Sequence, residues 1–228
     1  MHIKELWRYP VKSMRGESLD SAAVQPTGMA GDRGIVVVSS TRDRIITART
    51  HPGLLGLQGA LRSDGVVTID GLPWNTSGAR SLASEAAGTH VDLVEAGEEP
   101  GRFDVLPLLV ATDGAIAALG LDGRRLRPNI VVGGVQGHAE RNWPSRILRS
   151  GDVRIAVAQL RQRCVMTTYD PDTLQQDRRV LVNIVRQAEG KTALDCSVLA
   201  PGTLRINDLV SLETSAIPQE LHPDIRQI

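Results

Sequence analysis

Residues 34–47 read Gly-Ile-Val-Val-Val-Ser-Ser-Thr-Arg-Asp-Arg-Ile-Ile-Thr, so that two short apolar runs flank a polar turn. Short runs of β-branched residues are typical of strands, and a polar stretch between two of them is typical of a turn. The same pattern recurs on both sides of this segment. The sequence therefore predicts a mainly β chain.

Glycine, proline and aspartate separate the apolar runs along most of the chain, which favours a β-barrel or a β-sandwich. Apart from the two runs in residues 34–47, strands are predicted at Ile3–Tyr9, Leu19–Gln25, Leu54–Leu61, Val66–Ile69, Asn129–Val132, Val153–Ala158 and Leu204–Leu212. A few helices accompany them. The predicted fold class is therefore mainly β (α+β), with barrel-like parts and a small number of helices.

Three segments carry helix signals. Residues 77–87 have Ser77 as a possible N-cap and Gly88 as a stop signal. A short helix is predicted at 112–120, capped by Thr112 or Asp113. The strongest signal is at 177–189, where apolar residues recur at i, i+3 and i+4 and predict one buried face. That face consists of Val180, Leu181, Ile184, Val185 and Ala188.

An acidic, turn-rich segment at residues 95–101 is the best internal boundary. It predicts one domain over residues 1–98 and a second over 99–215. The remaining residues, 216–228, are predicted to be a loose tail because they contain prolines and lack periodicity.

Composition limits the possible partners. The chain has 228 residues, with 26 basic and 26 acidic side chains. A formal net charge of zero argues against a general attraction to nucleic acid or to an anionic membrane. No apolar stretch approaches the ~20 residues of a membrane helix, and the first residues lack the pattern of a signal peptide. Two cysteines, Cys164 and Cys196, are too few for a disulfide framework, so we expect a cytoplasmic protein.

Common catalytic motifs are absent from the sequence: there is no Cys-x-x-Cys, no His-Glu-x-x-His, no phosphate-binding P-loop and no Gly-x-Ser-x-Gly. Residues 131–137 place glycines after a predicted strand, as a dinucleotide-binding loop does. The residues that follow, 138–144, do not have a helical pattern. A nucleotide loop is therefore a weak interpretation of this segment.

Basic residues lie beside special backbone positions in several segments, and this pattern is typical of a pocket for a small anion such as phosphate. The alternative is that they are solvated surface arginines. Cys164 stands out because two neighbouring arginines favour a thiolate, which is a nucleophile or a soft-metal ligand. A buried, inert cysteine is the alternative here. The segments are residues 9–13, 31–33, 47–49, 124–129 and 161–164.

These residues resemble the MOSC-domain family. The first half is similar to the MOSC N-terminal β-barrel domain, and the second half is similar to the MOSC domain itself. The resemblance covers nearly the whole chain, and the pieces occur in the family's order. The matching segments are residues 9–16, 28–33, 46–54, 126–132, 139–143, 151–153, 163–168, 170–173 and 202–210.

The resemblance implies a β-barrel-like N-terminal domain, a MOSC β-barrel domain and the molybdenum cofactor (Mo-molybdopterin). It makes Cys164 the catalytic residue and the ligand of the metal. Lys12, Ser13 and Arg33 would hold the phosphate of the pterin, and Arg49 lies in a matching segment. The other implied cofactor-binding residues are Arg127 and Asn129 at the pterin, Arg163 beside the metal, and Thr112 and Asp113 at a helix start facing the cofactor.

The implied activity is that of an oxidoreductase of the amidoxime-reducing type, which reduces N-hydroxylated small molecules. Such a chain needs a separate electron-transfer protein (ferredoxin-like, flavin or haem), because two cysteines cannot hold a common iron–sulfur cluster. Alternatives are a sulfur carrier with a persulfide on Cys164, or a cofactor-binding module without turnover. The sequence departs from the family at Met14, where cysteine is frequent. It also departs around Cys196, which we expect to be structural.

Overall fold

The computed structural model describes residues 1–41, 44–97 and 102–214. Strands dominate it and three α-helices accompany them, which confirms the predicted mainly β class. Among the described residues the strands form four open sheets, and none of these sheets closes on itself. The strands are His2–Arg8 (β1), Glu17–Leu19 (β2), Ser21–Gln25 (β3), Gly28–Met29 (β4), Ile35–Ser39 (β5), Ile45–Ile46 (β6), Gly59–Leu61 (β7), Val67–Ile69 (β8), Leu72–Pro73 (β9), Val91–Glu95 (β10), Leu108–Thr112 (β11), Ile130–Gly133 (β12), Arg146–Ser150 (β13), Val153–Gln162 (β14), Lys191–Ala200 (β15), Gly202–Arg205 (β16) and Ser211–Thr214 (β17).

The largest sheet has eight strands in the order β17-β13-β14-β15-β11-β12-β1-β2. Its ladders are antiparallel except for the β11–β12 pair, which is parallel. A parallel pair needs a crossover, and the chain between these two strands includes a helix. Strand β1, from the beginning of the chain, pairs with β12, and β3 pairs with β16. The two predicted halves therefore share sheets.

Three smaller strand groups complete the architecture: β10-β5-β6, β16-β3-β4 and β7-β8-β9. The β5–β6 pair is the hairpin predicted from residues 34–47, with Val37 opposite Ile46. One apolar core lies against the large sheet and includes Leu6, Leu108 and Leu194. A second core, around Val37 and Leu54, lies under the N-terminal strands.

Helix α1 spans Ser77–Ala87 and ends at Gly88, as predicted. Its N-cap is Thr76 rather than Ser77, because the Thr76 hydroxyl accepts a hydrogen bond from the Ala79 amide. Helix α2 spans Asp113–Leu119, and Thr112 caps it. The predicted alternatives at this cap are thereby resolved in favour of Thr112.

Helix α3 spans Arg179–Ala188, slightly shorter than predicted, and its side chains Ile184 and Ala188 are buried. The prediction that Val185 shares this face is wrong, since Val185 is 54% exposed. Each residue turns a helix by about 100°, so the neighbour of a central buried residue points well away from the core. Among the described residues, no helix has the length and apolar character needed to cross a membrane.

Three predicted strands are each divided in the structure. Residues 54–61 begin in a 3₁₀ helix, Pro52–Gly56, whose first turn contains Pro52, and only Gly59–Leu61 is a strand. Residues 204–212 belong to two sheets, because Asn207 has a positive φ of 70° and turns the chain between β16 and β17. Residues 19–25 divide between β2 and β3. Residues 98–101 of the predicted boundary, and the predicted tail, lie outside the described residues.

Candidate functional site

A pocket of about 80 Å³ lies where residues from both halves of the chain meet. The first half contributes Lys12, Ser13, Arg33 and Arg49, and the second half contributes Arg127, Arg163 and Cys164. With Asn129, which also lines the pocket, eight of the predicted site residues thus lie at one place. Three residues that line this pocket, Arg125, Arg127 and Met166, also line an adjoining cavity of about 410 Å³.

The first wall of the pocket depends on two residues with left-handed backbone. Ser13 has a φ of 73°, and its hydroxyl accepts a hydrogen bond from the Ala48 amide at 3.0 Å. Arg33 has a φ of 50°, and its guanidinium pairs with the buried Asp32 carboxylate. That carboxylate also accepts a hydrogen bond from the Tyr9 amide at 2.7 Å. These bonds hold the two predicted anion-binding segments, 9–13 and 31–33, against each other.

Two arginines of the second half bring enclosed N–H donors to the pocket. Arg127 has a φ of 56°, and its guanidinium lies over the Tyr9 ring at 4.4 Å from the centroid. The Arg163 Nη2 donates to the Leu126 carbonyl at 2.8 Å. Arg127 Nη2 and Arg163 Nε are enclosed and have no hydrogen-bond partner among the described residues. Burial lowers the pKa of each guanidinium to about 10. Enclosed donors without partners are costly, so this wall is suited to an anionic ligand.

Cys164 is half-buried and follows strand β14, at the start of the 3₁₀ helix Val165–Thr168. The Thr167 hydroxyl donates to the Cys164 carbonyl at 2.9 Å and fixes this turn. Arg49 and Cys164 both line the pocket, and the two side chains interact electrostatically across it.

Two further pocket residues were not among the predicted site residues. Asp104 receives Lys12 Nζ at 3.1 Å and Arg49 Nη2 at 2.9 Å, and Arg161 Nη1 lies at 4.0 Å. Arg161 also donates to Asp195 at 2.5 Å. Arg161 stood in the basic segment around Cys164, so its charge pattern was a usable signal. Asp104 lies in a non-periodic stretch and gave no signal in the sequence.

The structure does not bring Thr112 and Asp113 into the pocket. The Thr112 hydroxyl caps α2 and donates to Glu140 at 3.3 Å. The Asp113 carboxylate accepts hydrogen bonds from the amides of Gly134 and Val135 at 2.9 and 3.0 Å. Both side chains are therefore occupied in shaping the start of α2. The glycine-rich stretch at residues 131–137, considered above as a nucleotide-binding loop, supplies these two amides and so also shapes the start of α2.

Asn129 lines the pocket, but its side chain hydrogen-bonds with backbone groups of neighbouring strands. The Asn129 Oδ1 accepts from the Leu109 amide at 3.1 Å, and the Nδ2 donates to the Trp7 carbonyl at 3.4 Å. Asn129 thus ties together three neighbouring strands beneath the pocket. It supports the site from below and has few remaining donors for a ligand.

The second cysteine lies away from the pocket. Cys196 is fully buried within β15, and burial raises the pKa of its thiol well above the ordinary value. A thiol in that setting is a poor nucleophile and a poor metal ligand. In the described part of the chain, no three His, Cys, Asp or Glu residues come together as a metal site.

Two family models together match most of the chain. The MOSC N-terminal beta barrel domain matches residues 1–99, and the MOSC domain matches residues 111–211. The chain belongs to the MOSC family. Residues in both matched ranges line the pocket of this MOSC protein.

The curated relatives are amidoxime-reducing proteins. This MOSC chain is 24% identical to the mitochondrial amidoxime-reducing component 1 of Homo sapiens, over 92% of the chain and 82% of the relative. The Mus musculus protein of the same name is 23% identical over the same shares. Component 2 of Homo sapiens is 35% identical, over 33% of the chain and 24% of that protein. The relatives carry "mitochondrial" in their names, and the cytoplasmic location stays a prediction.

A solved structure shares the fold. The YUAD protein from Bacillus subtilis covers 94% of this chain and 96% of its own, with a TM-score of 0.50 and 15% identity. At that identity the likeness concerns the fold alone. The MOSC family is associated with the molybdenum cofactor, and the relatives are named amidoxime-reducing components.

Proposed function

We propose that the pocket binds the molybdenum cofactor, with the Cys164 thiolate as a ligand of the metal, and that the protein reduces N-hydroxylated small molecules. The observation that carries the proposal is a pair of enclosed donors in the pocket of that cysteine, Arg127 Nη2 and Arg163 Nε, which have no hydrogen-bond partner in the described part of the chain. An anionic, hydrogen-bond-accepting ligand would satisfy both. The names of the relatives, amidoxime-reducing components, support the reaction class.

The size and charge of the site fit a pterin with a phosphate. Ligand pockets in proteins usually measure ~300–1,000 Å³. A volume of about 80 Å³ beside Cys164 has room for an anionic group, and the adjoining cavity of about 410 Å³ has room for a planar heterocycle. Arg127 lies at the junction of the two volumes and is able to contact both parts of the ligand.

The first wall would hold the phosphate. The Ser13 oxygen already accepts the Ala48 amide hydrogen, so its own O–H is available to donate to a phosphate oxygen. Lys12 and Arg33 would add positive charge. Charge-assisted hydrogen bonds of this kind contribute about 1.5–3 kcal/mol each. The two left-handed positions, Ser13 and Arg33, orient the donors before any ligand enters.

The opposite wall would serve the reacting end of the ligand. Cys164 would supply sulfur as a soft ligand, and the Arg49 side chain lines the same pocket. When bound, the cofactor supplies a metal that removes oxygen from an N–O bond and is restored by two electrons. The half-exposed position of Cys164 leaves the substrate a path to the site.

We propose that the electrons come from a separate ferredoxin-like, flavin or haem protein. The two cysteines of the sequence cannot hold a four-thiolate iron–sulfur cluster. The amides of Gly134 and Val135 in the glycine-rich stretch already bind Asp113, which leaves that stretch ill suited to a nucleotide phosphate. The donor would dock transiently near the pocket mouth.

Metal and pterin analysis of two matched variants tests the proposal. We expect Cys164→Ser to lose molybdenum and activity while keeping its fold, since a serine hydroxyl ionises far less readily and is a harder ligand. Cys196→Ser is the matched control and should keep the metal. Full molybdenum and turnover in Cys164→Ser would overturn the assignment. Cyanide-labile sulfur without metal in the parent protein would instead support the sulfur-carrier alternative.

A further inference from the structure

One carboxylate stands among the basic side chains of the pocket. Of the lining residues seven are basic, and Asp104 alone is acidic. The Asp104 carboxylate bridges Lys12 and Arg49 at 3.1 and 2.9 Å, so it occupies the space between two cations on the first wall. Its side chain is 35% exposed, whereas that of Lys12 is 10% exposed.

The other cations do not depend on Asp104 in the same way. Arg33, Arg125 and Arg161 each pair with an aspartate outside the pocket lining. Arg127 and Arg163 each have one enclosed N–H that no described residue accepts. The charge left over in the pocket is therefore strongly positive even with Asp104 in place. One carboxylate does not complete this site, which points to a further anion.

We propose that Asp104 is an internal competitor: its carboxylate occupies the subsite of Lys12 and Arg49 that an anionic group of the ligand takes, and it must move out before that group binds. This inference rests on the proposed function in one respect, that an anionic ligand enters this pocket. It adds to that function the replacement of the Asp104 carboxylate by an anionic group of the ligand. Binding would replace the contacts of a monovalent carboxylate by those of a dianion.

The exchange is physically reasonable on both sides. Asp104 lies in the irregular stretch of residues 102–107, and rotation of its partly exposed side chain would return the carboxylate to water. A phosphate offers more acceptor oxygens and about twice the charge of a carboxylate at neutral pH. The carboxylate is charged before the exchange: although burial raises the Asp104 pKa, Lys12, Arg49 and Arg161 together lower it.

The consequence is a threshold for binding. With Asp104 in place, Lys12 and Arg49 are compensated, and a weak monovalent anion gains little by entering. A ligand that also satisfies Arg127 and Arg163 gains enough to displace the carboxylate. Every anion has to displace the Asp104 carboxylate before it binds, and this displacement costs free energy. Asp104 would thus favour a multivalent ligand over the simple anions of the cell.

Binding of inorganic phosphate to the full chain, prepared without cofactor, tests this inference by calorimetry. Asp104→Asn keeps the shape of the side chain and removes its charge. We expect the phosphate Kd to fall about tenfold, because the competing state no longer holds most of the population. The melting temperature of Asp104→Asn should fall without phosphate and recover with it. The matched control is Asp172→Asn, a surface aspartate paired with Arg124 outside this pocket, which should bind phosphate as the parent does.

Unchanged or weaker phosphate binding in Asp104→Asn would overturn the inference, since it would make Asp104 a positioning group or a bystander. Absence of phosphate binding in parent and variant alike would overturn it as well. Asp104→Ser, also neutral, repeats the measurement if the asparagine variant folds poorly. Molybdenum and pterin content are measured separately on cofactor-loaded protein. If the parent protein contains cofactor but Asp104→Asn binds phosphate no more tightly, the inference about Asp104 is wrong and the proposed function stands. If the parent protein contains no cofactor, the proposed function is wrong and the inference about Asp104 is tested by phosphate binding alone.

Discussion

Replacing Arg127 by methionine separates the cost of a buried cation from its use in binding. The guanidinium is enclosed at Nη2 and has no partner there among residues 1–41, 44–97 and 102–214, and burial lowers its pKa to about 10. A shift of that size corresponds to about 3 kcal/mol of unfavourable free energy for the charged form, less where solvent reaches the rest of the side chain. Methionine keeps much of the apolar stem without the charge.

We expect cofactor-free Arg127→Met to unfold at the same urea concentration as the parent protein or a higher one. Loss of the stacking on Tyr9, at 4.4 Å, offsets part of the gain, since cation–π contacts contribute about 0.5–2 kcal/mol. The net change in unfolding free energy should lie between about 0 and +2 kcal/mol. Below a pH of about 10 the difference should not vary, because Arg127 stays charged there. The penalty declines only as the pH rises from that value towards the ordinary pKa of arginine.

Cofactor retention should move in the opposite direction. One lost charge-assisted hydrogen bond weakens binding by about 1.5–3 kcal/mol, or roughly 10- to 150-fold. Molybdenum per chain after gel filtration measures this loss, and tryptophan fluorescence in urea measures stability. Arg141→Met is the control. Its guanidinium donates to the Ala188 carbonyl at 3.1 Å and does not line the pocket, so the substitution should lower stability and leave retention alone. A destabilised Arg127→Met that keeps its cofactor would refute the reasoning.

Three other outcomes are expected. Arg33→Ala should lower both retention and stability, the latter by about 3–5 kcal/mol because the buried Asp32 loses its cation; a normal urea midpoint would contradict this. Gly114→Ala should cost about 1–3 kcal/mol without a specific effect on the cofactor, since the new Cβ would lie 2.3 Å from the Val135 carbonyl oxygen; thermal melts would show it. Protein loaded with cofactor should reduce an amidoxime with reduced viologen but not with NADH alone. Turnover on NADH without a second protein would contradict the proposal that a separate electron donor is required.

Local signals in the sequence predicted the helices well. Helix α1 ends where Gly88 takes a positive φ, and α3 has a strong apolar periodicity. Both signals act within a few residues, so the sequence contains them complete. Strands β11 and β15 were missed because they are buried on both faces for most of their length. A strand buried in this way has no alternating pattern.

The site was predicted in large part through a family likeness rather than through any single residue. The likeness placed Lys12, Arg33, Arg127 and Cys164 together, and the structure places all four on the pocket lining. Their distances along the chain gave no such indication. Asp104 escaped prediction because its importance comes only from three distant cations that fold around it.

The pairing of β1 with β12 and of β3 with β16 bears on how the protein is made and dissected. A ribosome releases the first hundred residues long before the partners of β1 and β3 exist. Those early strands must wait with open edges, which are attractive to other chains and to chaperones. A fragment ending near residue 98 would keep these edges exposed permanently. Expression of either half alone should give aggregates, and mixing the two halves during refolding should restore solubility.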